Sequence, residues 1–287
     1  MNDDLERLIS QAIQEDCPGG DVTSEAVIRT DSISTGKAVA KGNYVISGMD
    51  VAKAVYYYVD ENIKFNGFVK DGDTVKKGKP LFTVKGSTRS ILLAERTVLN
   101  LMGHMTGIAT RTNTFVKMVK GTKAVILDTR KTLPGLRSIQ KLAVTHGGGK
   151  NHRFSLSDAV LLKENHIAAA GGIKKALLFF KKMKGKMKLE IEVRNIFELK
   201  EVLGSKVLPD VVMLDNMNPK DTKKAVQLVK RKFRLESSGG ITEKNIREYA
   251  KAGVDYISLG AITHSVNNAD ISFLLDRVKR GTRTHCV

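Results

Sequence analysis

The second half of the sequence alternates short apolar runs with segments of helical pattern, and each run stops at a polar or glycine residue. Runs of this length are typical of strands that are buried on both faces of a parallel sheet. Parallel strands joined by helices through right-handed crossovers predict an α/β barrel. The strand candidates are Ala124–Leu127, Ala159–Leu162, Leu189–Ile191, Val211–Leu214, Arg234–Glu236 and Tyr256–Leu259, and polar residues occur within the third, fifth and sixth of them.

The first half has a different pattern. Apolar residues at three- and four-residue spacing predict helices over 4–16, 49–59 and 90–119, whereas residues 33–85 alternate with a period of two and contain Asn-Gly and Asp-Gly turns. This predicts a small antiparallel sheet covered by a helix. We therefore expect three segments: an α+β amino-terminal domain (1–110), the barrel (111–267), and a carboxy-terminal helix and tail (268–287) that pack back on the amino-terminal domain.

The chain is strongly basic, with 48 Lys and Arg against 30 Asp and Glu, a net charge of +18. Such a surplus indicates an anionic partner, which could be nucleic acid, a membrane surface or a small substrate. No apolar run approaches the length of a membrane span, and the first residues lack the core of a signal peptide. Cys17 and Cys286 lie far apart in the sequence and outside any metal-binding motif. We expect a cytoplasmic protein with no membrane or nucleic-acid partner.

Charged residues follow the predicted strands, and the carboxyl ends of barrel strands are where such folds place their sites. The alternative interpretation is that these charged residues only form a solvated rim, as charged residues do on any protein surface. The residues are Asp128, Arg130, Lys131, Lys163, Glu192, Asp215 and Glu236.

Three features of this rim indicate a small polyanionic ligand. Arg130, Lys131, His152, Arg153 and Lys163 would gather cationic donors around an anion, and the arginine fork suits carboxylates. The turns at Ser238, Gly239 and Gly240 and at Leu259, Gly260 and Ala261 follow the last two strands, where barrels frequently bind phosphate. Glu192 and Asp215 could hold a divalent metal or ribose hydroxyls. Together these features suggest a phosphoribosyl donor.

Seven sequence blocks, in order along nearly the whole chain, resemble quinolinate phosphoribosyltransferase. The segments 128–137 (Asp-Thr-Arg-Lys-Thr-Leu-Pro-Gly-Leu-Arg) and 147–153 (Gly-Gly-Gly-Lys-Asn-His-Arg) are the most specific of them. The others are Glu95–Asn100, His104–Thr110, Leu162–His166, Leu214–Asn216 and Leu235–Gly240.

The resemblance implies a sandwich-like amino-terminal domain, an incomplete α/β barrel, and a homodimer or a larger assembly of such dimers. It implies a magnesium-dependent reaction of quinolinate with phosphoribosyl pyrophosphate that gives nicotinate mononucleotide, pyrophosphate and carbon dioxide for NAD biosynthesis. By resemblance, Arg130, His152 and Arg153 bind quinolinate, Lys131 and Lys163 add positive charge, and Thr129 is a further substrate-binding residue. Arg96 enters the partner's site. Glu192 and Asp215 meet ribose or metal, and both glycine turns hold the 5′-phosphate beside His264.

Two other functional classes compete with this interpretation. Lys163 at a strand end could be the Schiff-base lysine of an aldolase. The lysines at 174–188 could bind RNA, although basic helices are more often solvated surfaces. A related subgroup from molybdate-transport operons shares the fold, but Arg130, His152, Arg153 and Lys163 together favour the quinolinate enzyme.

Overall fold

The computed structural model describes residues 3–182 and 187–276, which divide into two compact units. The described parts of the first unit fall within Met1–Arg111, Leu133–Gly147 and Val266–Val287. The second unit consists of Thr112–Thr132 and the described parts of Gly148–Ser265.

The helices and strands follow one another in the order that the sequence pattern predicts, with antiparallel strands in the first half and alternating strands and helices in the second. The elements of the first half are α1 (Asp3–Asp16), α2 (Val22–Val27), β1 (Ile33–Ala40), β2 (Tyr44–Val45), α3 (Met49–Val59), β3 (Lys64–Gly67), β4 (Thr74–Val75), β5 (Pro80–Ser87) and α4 (Thr88–Val119). The later elements are β6 (Val125–Leu127), α5 (Arg137–His146), β7 (Val160–Leu162), α6 (Glu164–Ala170), α7 (Ile173–Lys182), β8 (Leu189–Val193), α8 (Ile196–Leu203), β9 (Val211–Asp215), α9 (Pro219–Val229), β10 (Arg234–Ser238), α10 (Ile246–Ala252), β11 (Tyr256–Ser258), α11 (Ala261–His264) and β12 (Ile271–Leu275).

The first unit is built on an antiparallel sheet with the strand order β12-β1-β5-β3. Buried and more exposed residues alternate along β1, as its two-residue period predicts. Tyr56 of α3 meets Phe82 of β5 edge to face at a centroid distance of 6.1 Å, and Phe65 stacks on Phe82 at 4.8 Å. These aromatic contacts hold α3 against the sheet and confirm the predicted α+β arrangement.

Two segments of the first unit differ from the sequence expectation. Residues 133–147, which we placed with the barrel, lie in the first unit because α5 bonds to it: His146 Nδ1 is 2.8 Å from Ser47 Oγ, and Gln140 Nε2 is 2.7 Å from His104 Nε2. Within 268–287, where we expected a helix, Ile271–Leu275 form strand β12. These residues pair with β1, which satisfies their backbone groups; residues 277–287 lie outside the described part.

The second unit contains six parallel strands in the order β6-β11-β10-β9-β8-β7. From β7 to β11, strands that follow one another in the chain are neighbours, and β11 pairs with β6. The sheet is therefore a barrel that is open between β6 and β7, where a single bridge between Leu127 and Lys150 lies beside β6. This is the incomplete α/β barrel that we expected, and its strand ends meet at one rim.

None of the described helices combines the length and the apolar character that a membrane span requires.

Candidate active site

A cavity of about 580 Å³ opens at the carboxyl ends of the barrel strands. Every residue that the family resemblance assigns to the site lines this cavity except Arg96, and Asp128, which we placed at the rim, does not line it. The lining residues are Thr129, Arg130, Lys131, His152, Arg153, Leu161, Lys163, Glu192, Met213, Asp215, Asn216, Glu236, Ser238, Gly239, Gly240, Ile241, Thr242, Ser258, Leu259, Gly260, Ala261 and His264.

Arg96 lies on α4 within the first unit, where its side chain is exposed. It is not among the residues that line this cavity. Its predicted role concerns the site of a partner chain and stays a prediction.

Two arginines form the cationic wall of the cavity. Arg130 Nε is buried and has no hydrogen-bond partner within the described residues, whereas Arg153 Nη1 donates to the Ala159 carbonyl at 3.0 Å. Burial, followed by the neighbouring charge of Arg130, lowers the pKa of the Arg153 guanidinium. Two guanidinium groups that lose hydration and repel each other favour an anion between them. This wall is therefore suited to a small acid.

Asp128, at the end of β6, anchors the segment that carries this wall. Its side chain is fully buried, and its Oδ1 accepts the backbone N–H of His152 at 2.8 Å. The backbone N–H of Lys150 donates to the Ile126 carbonyl at 2.8 Å. Residues 150–153 are thus fixed along the open edge of the barrel, which directs Arg153 into the cavity.

Lys163 and Glu192 face each other across adjacent strands, with 2.7 Å between Lys163 Nζ and Glu192 Oε2. On the next strand, Asp215 Oδ2 accepts a hydrogen bond from Asn216 Nδ2 at 2.8 Å. The cavity therefore places one cation–carboxylate pair and one further carboxylate side by side. Such a set can bind hydroxyl groups or a divalent cation that a phosphate also contacts.

The turn after β10 requires glycine at Gly239, and the turn after β11 brings Gly260 close to the flexible side chain of Lys131. Gly239 has a φ of +87°, and a Cβ at this position would lie 2.2 Å from Asn216 Oδ1. A Cβ at Gly260 would lie 2.9 Å from Lys131 Cδ. Because side chains are excluded, a ligand can approach backbone N–H groups directly, as phosphate sites of barrels require. Thr263 Oγ1 also donates to the Lys131 carbonyl at 2.8 Å, which ties the Lys131 segment to α11.

Below the arginine wall lies a buried group of three titratable residues, His152, Glu190 and Glu236. His152 Nε2 is 2.9 Å from Glu190 Oε2 and 3.8 Å from Glu236 Oε1. Burial, together with the charge of Glu190, raises the pKa of Glu236 to about 8. Glu236 therefore holds its proton at neutral pH, because two carboxylates this close cannot both ionise without a large cost.

Sequence reasoning placed Glu236 at the rim but missed Glu190. A signal was present, since Glu190 precedes Glu192 by two residues on β8 and side chains at this spacing share a face of a strand. The remaining unpredicted lining residues are apolar or uncharged, and only Asn216 lies within one of the family-like sequence blocks: Leu161, Met213, Asn216, Ile241, Thr242 and Ser258.

Two family models match the chain: the quinolinate phosphoribosyl transferase N-terminal domain over residues 21–106 and the corresponding C-terminal domain over residues 108–274. The nicotinate-nucleotide pyrophosphorylase [carboxylating] of Mycobacterium leprae is 43% identical over 274 residues, covering 92% of this chain and 94% of that protein. A mitochondrial quinolinate phosphoribosyltransferase [decarboxylating] of Nicotiana tabacum is 40% identical, covering 95% of this chain and 82% of that protein.

A solved structure shows the same likeness. The nicotinate-nucleotide pyrophosphorylase of Francisella tularensis superposes with a TM-score of 0.91 at 41% identity, covering 96% of this chain and 97% of that one. The resemblance found in the sequence is confirmed, and the chain belongs to the quinolinate phosphoribosyltransferase family.

Proposed function

We propose that this protein transfers the phosphoribosyl group of phosphoribosyl pyrophosphate to quinolinate. The products would be nicotinate mononucleotide, pyrophosphate and carbon dioxide, and the reaction would serve NAD biosynthesis. Family membership supports this activity, since the relatives are named for it. The structural observation that carries the proposal is a single cavity with a paired-arginine wall, a carboxylate pair and two glycine turns.

Quinolinate is a small dicarboxylate, and the arginine wall suits it. Arg130 offers a buried donor without a protein partner in the described residues, and Arg153 extends beside it. Arginine binds a carboxylate through two parallel hydrogen bonds, which are stronger when the group is partly desolvated. We assign Arg130 and Arg153 to the carboxylates, with Thr129 and His152 lining the same wall and Lys131 and Lys163 adding positive charge.

The phosphoribosyl donor would occupy the opposite side of the cavity. Its 5′-phosphate would meet the backbone N–H groups of Ser238–Gly240 and of Leu259–Ala261, next to His264. Its ribose hydroxyls would approach Glu192 and Asp215, since ionised carboxylates accept hydrogen bonds. This placement brings the anomeric carbon between the arginine wall and the glycine turns.

Magnesium is the cofactor that the family resemblance implies, and the donor set of the cavity fits it. Magnesium prefers oxygen ligands and is usually held by one or two carboxylates together with substrate phosphates. Glu192 is already paired with Lys163, and Asp215 has one oxygen bonded to Asn216, so Asp215 is the better first ligand. A bound magnesium ion would supply positive charge to the pyrophosphate.

The chain's own residues act by positioning and electrostatics in this reaction. Lys131 and Lys163 stabilise the pyrophosphate as its bond to the anomeric carbon breaks, and the pyridine nitrogen forms the new bond from the opposite face. The quaternised ring then accepts the electron pair left when the adjacent carboxylate departs as carbon dioxide, and a proton takes the place of that carboxylate. Arg130 and Arg153 keep the ring oriented throughout.

A homodimer in which Arg96 completes the partner's site forms part of the proposal. The exposed guanidinium of Arg96 on α4 is consistent with a contact to another chain. Mixing Arg96→Ala with Arg153→Ala tests it, because hybrid dimers would contain one intact site and recover activity that neither variant has alone. Activity no higher than that of the separate variants would contradict sharing between chains.

The Schiff-base alternative is less favoured by this site. The Lys163 ammonium lies 2.7 Å from Glu192, and this ion pair stabilises the charged amine, whereas an aldolase lysine must become neutral to attack a carbonyl. Borohydride with carbonyl substrates should therefore leave Lys163 unlabelled. The cytoplasmic location of the protein stays a prediction.

The direct test is incubation with quinolinate, phosphoribosyl pyrophosphate and magnesium, followed by detection of nicotinate mononucleotide. Nicotinate in place of quinolinate is the matched control, because it lacks the second carboxylate. We expect product with quinolinate and essentially none with nicotinate. The proposal would be contradicted if folded protein formed product with nicotinate but not with quinolinate. It would also be contradicted if folded protein formed no product with either acid.

A further inference from the structure

The buried group below the arginine wall contains one glutamate, Glu190, that the proposed reaction does not use. Glu190 is not among the residues that line the cavity. It lies 2.9 Å from His152, which precedes Arg153 in the chain. The inference below rests on the proposed function, because it concerns how Arg153 is held.

The hydrogen bonds of His152 define which ring nitrogen carries its proton. The backbone N–H of Arg153 donates to His152 Nδ1 at 2.8 Å, so Nδ1 is an acceptor. In a neutral imidazole the other nitrogen is then protonated, which makes Nε2 a donor. Nε2 is buried and lies 2.9 Å from Glu190 Oε2, so this tautomer places its N–H next to a carboxylate.

This tautomer also distinguishes the group from a metal site. The ligand-type atoms of His152, Glu190 and Glu236 lie within 4.8 Å of one another, which is a suitable distance for a shared cation. A metal, however, would require the lone pair of Nε2, and Nδ1 would then have to carry a proton toward the Arg153 N–H. The observed hydrogen bond therefore favours a structural role for the group.

Glu190 affects Arg153 in a second way, through its charge. Arg130 and Arg153 are close enough to repel each other, and Glu190 is one of the negative groups that offset this repulsion, together with Asp158. Arg153 is also held by the Ala159 carbonyl. Loss of Glu190 would remove both the partner of the imidazole and a buried counter-charge of the arginine wall.

We propose that Glu190 is a positioning residue that holds His152, and through it Arg153, in the orientation that meets the quinolinate carboxylates. The chain of contacts runs from Glu190 Oε2 to the imidazole, and from the imidazole Nδ1 to the backbone of Arg153. Asp128 fixes the other side of the same segment through the His152 backbone N–H.

The test compares Glu190→Ala, Glu190→Gln and the wild-type protein. Glu190→Ala should raise the KM for quinolinate by about 10-fold to about 100-fold, because a guanidinium displaced by an ångström loses much of its effect. The KM for phosphoribosyl pyrophosphate should stay within about twofold. The KM of Glu190→Gln for quinolinate should lie between the values for wild type and Glu190→Ala, since the amide oxygen can still accept from Nε2. Glu248→Gln, which removes an exposed carboxylate, is the matched control and should behave as wild type.

A double-mutant cycle then shows whether Glu190 acts through Arg153. In an Arg153→Ala background, Glu190→Gln should change quinolinate affinity by no more than about twofold, because residues of one network are not additive. Full additivity, an equal rise in both KM values, or a Glu190→Ala variant with wild-type KM would overturn the proposal. Thermal stabilisation of wild type but not of Glu190→Gln by zinc alone would also overturn it and indicate a metal site.

Calorimetric titration with quinolinate separates this proposal from the proposed reaction. If the wild type binds quinolinate but forms no product, the proposed reaction fails, while the affinities of the Glu190 variants still decide the positioning role. If the wild type does not bind quinolinate, both are wrong.

Discussion

The two sides of the cavity present different kinds of hydrogen-bond donors. Beside the open edge of the barrel, between β6 and β7, the donors are long cationic side chains, and Arg130 and Arg153 are the main ones. After β10 and β11 the surface is made of glycine turns, where a side chain would collide with Asn216 or Lys131. The difference teaches that, under the proposed function, one barrel rim would bind two anions by separate means: charged forks for carboxylates and backbone amides for phosphate.

Substitution in the arginine wall should produce the largest loss of substrate affinity. Arg153→Ala removes charge-assisted hydrogen bonds that contribute about 1.5–3 kcal/mol, which corresponds to about 10-fold to 150-fold in quinolinate affinity. Donor affinity should change much less. The quinolinate affinity of Arg153→Lys should lie between those of wild type and Arg153→Ala, since lysine keeps the charge but loses the planar fork. Calorimetry with each substrate measures both affinities, and equal losses for the two substrates would contradict the assignment.

Substitution in the glycine turns should instead weaken binding of the phosphoribosyl donor more than binding of quinolinate. Gly239→Ala places a Cβ against Asn216 at a φ of +87°, and such strain costs about 1–3 kcal/mol. We expect weaker binding of phosphoribosyl pyrophosphate with quinolinate affinity largely retained. Gly78→Ala in the first unit is the matched control, because Gly78 has the same φ of +87° but a Cβ added there would meet nothing within 4 Å. Loss of quinolinate affinity alone in Gly239→Ala would contradict the division of the cavity.

The buried acid under the arginine wall should make stability depend on pH. The pKa of Glu236 is raised from 4.5 to about 8, so between these values the folded protein holds a proton that the unfolded chain has released. Its contribution to stability is therefore present below pH 4.5 and is lost as pH rises through about 8. The Tm of wild type should fall relative to that of Glu236→Gln across this window. A Tm difference that does not vary with pH would contradict the raised pKa.

The exposed lysines of α7 should have the smallest effect. Lys174 and Lys175 are exposed and are not lining residues of the cavity. If they act at all, it is by attracting anionic substrates over a distance, which salt screens. The double variant Lys174→Gln, Lys175→Gln should lower kcat/KM by less than about twofold at physiological salt. A larger loss that persists at high salt would indicate direct contact with a ligand.

Local patterns were sufficient to predict the barrel strands and the residues that follow them, since a buried parallel strand and its strand-end position are both visible in a few consecutive residues. They were not sufficient for β12, because its strand character depends on pairing with β1, which lies far away in the sequence. The place of residues 133–147 likewise depends on contacts of α5 with Ser47 and His104. Long-range pairing of this kind has no local signature.

The site shows the same limit. Strand-end residues such as Lys163 and Asp215 could be predicted to share a cavity, because parallel strands end at a common rim. The two-residue spacing puts Glu190 on the same face of β8 as Glu192, but its contact with His152 depends on how the sheet closes. The sequence shows which residues reach the rim, whereas the interactions beneath the rim depend on how the sheet curves.

Release of the carboxyl group beside the ring nitrogen tests the central claim most directly. When the label is in that carboxyl carbon of quinolinate, it should appear in carbon dioxide and not in nicotinate mononucleotide. The two products should form in equal amounts, and only when phosphoribosyl pyrophosphate is present. Folded protein that binds both substrates but releases no label, or releases it without phosphoribosyl pyrophosphate, would contradict the account.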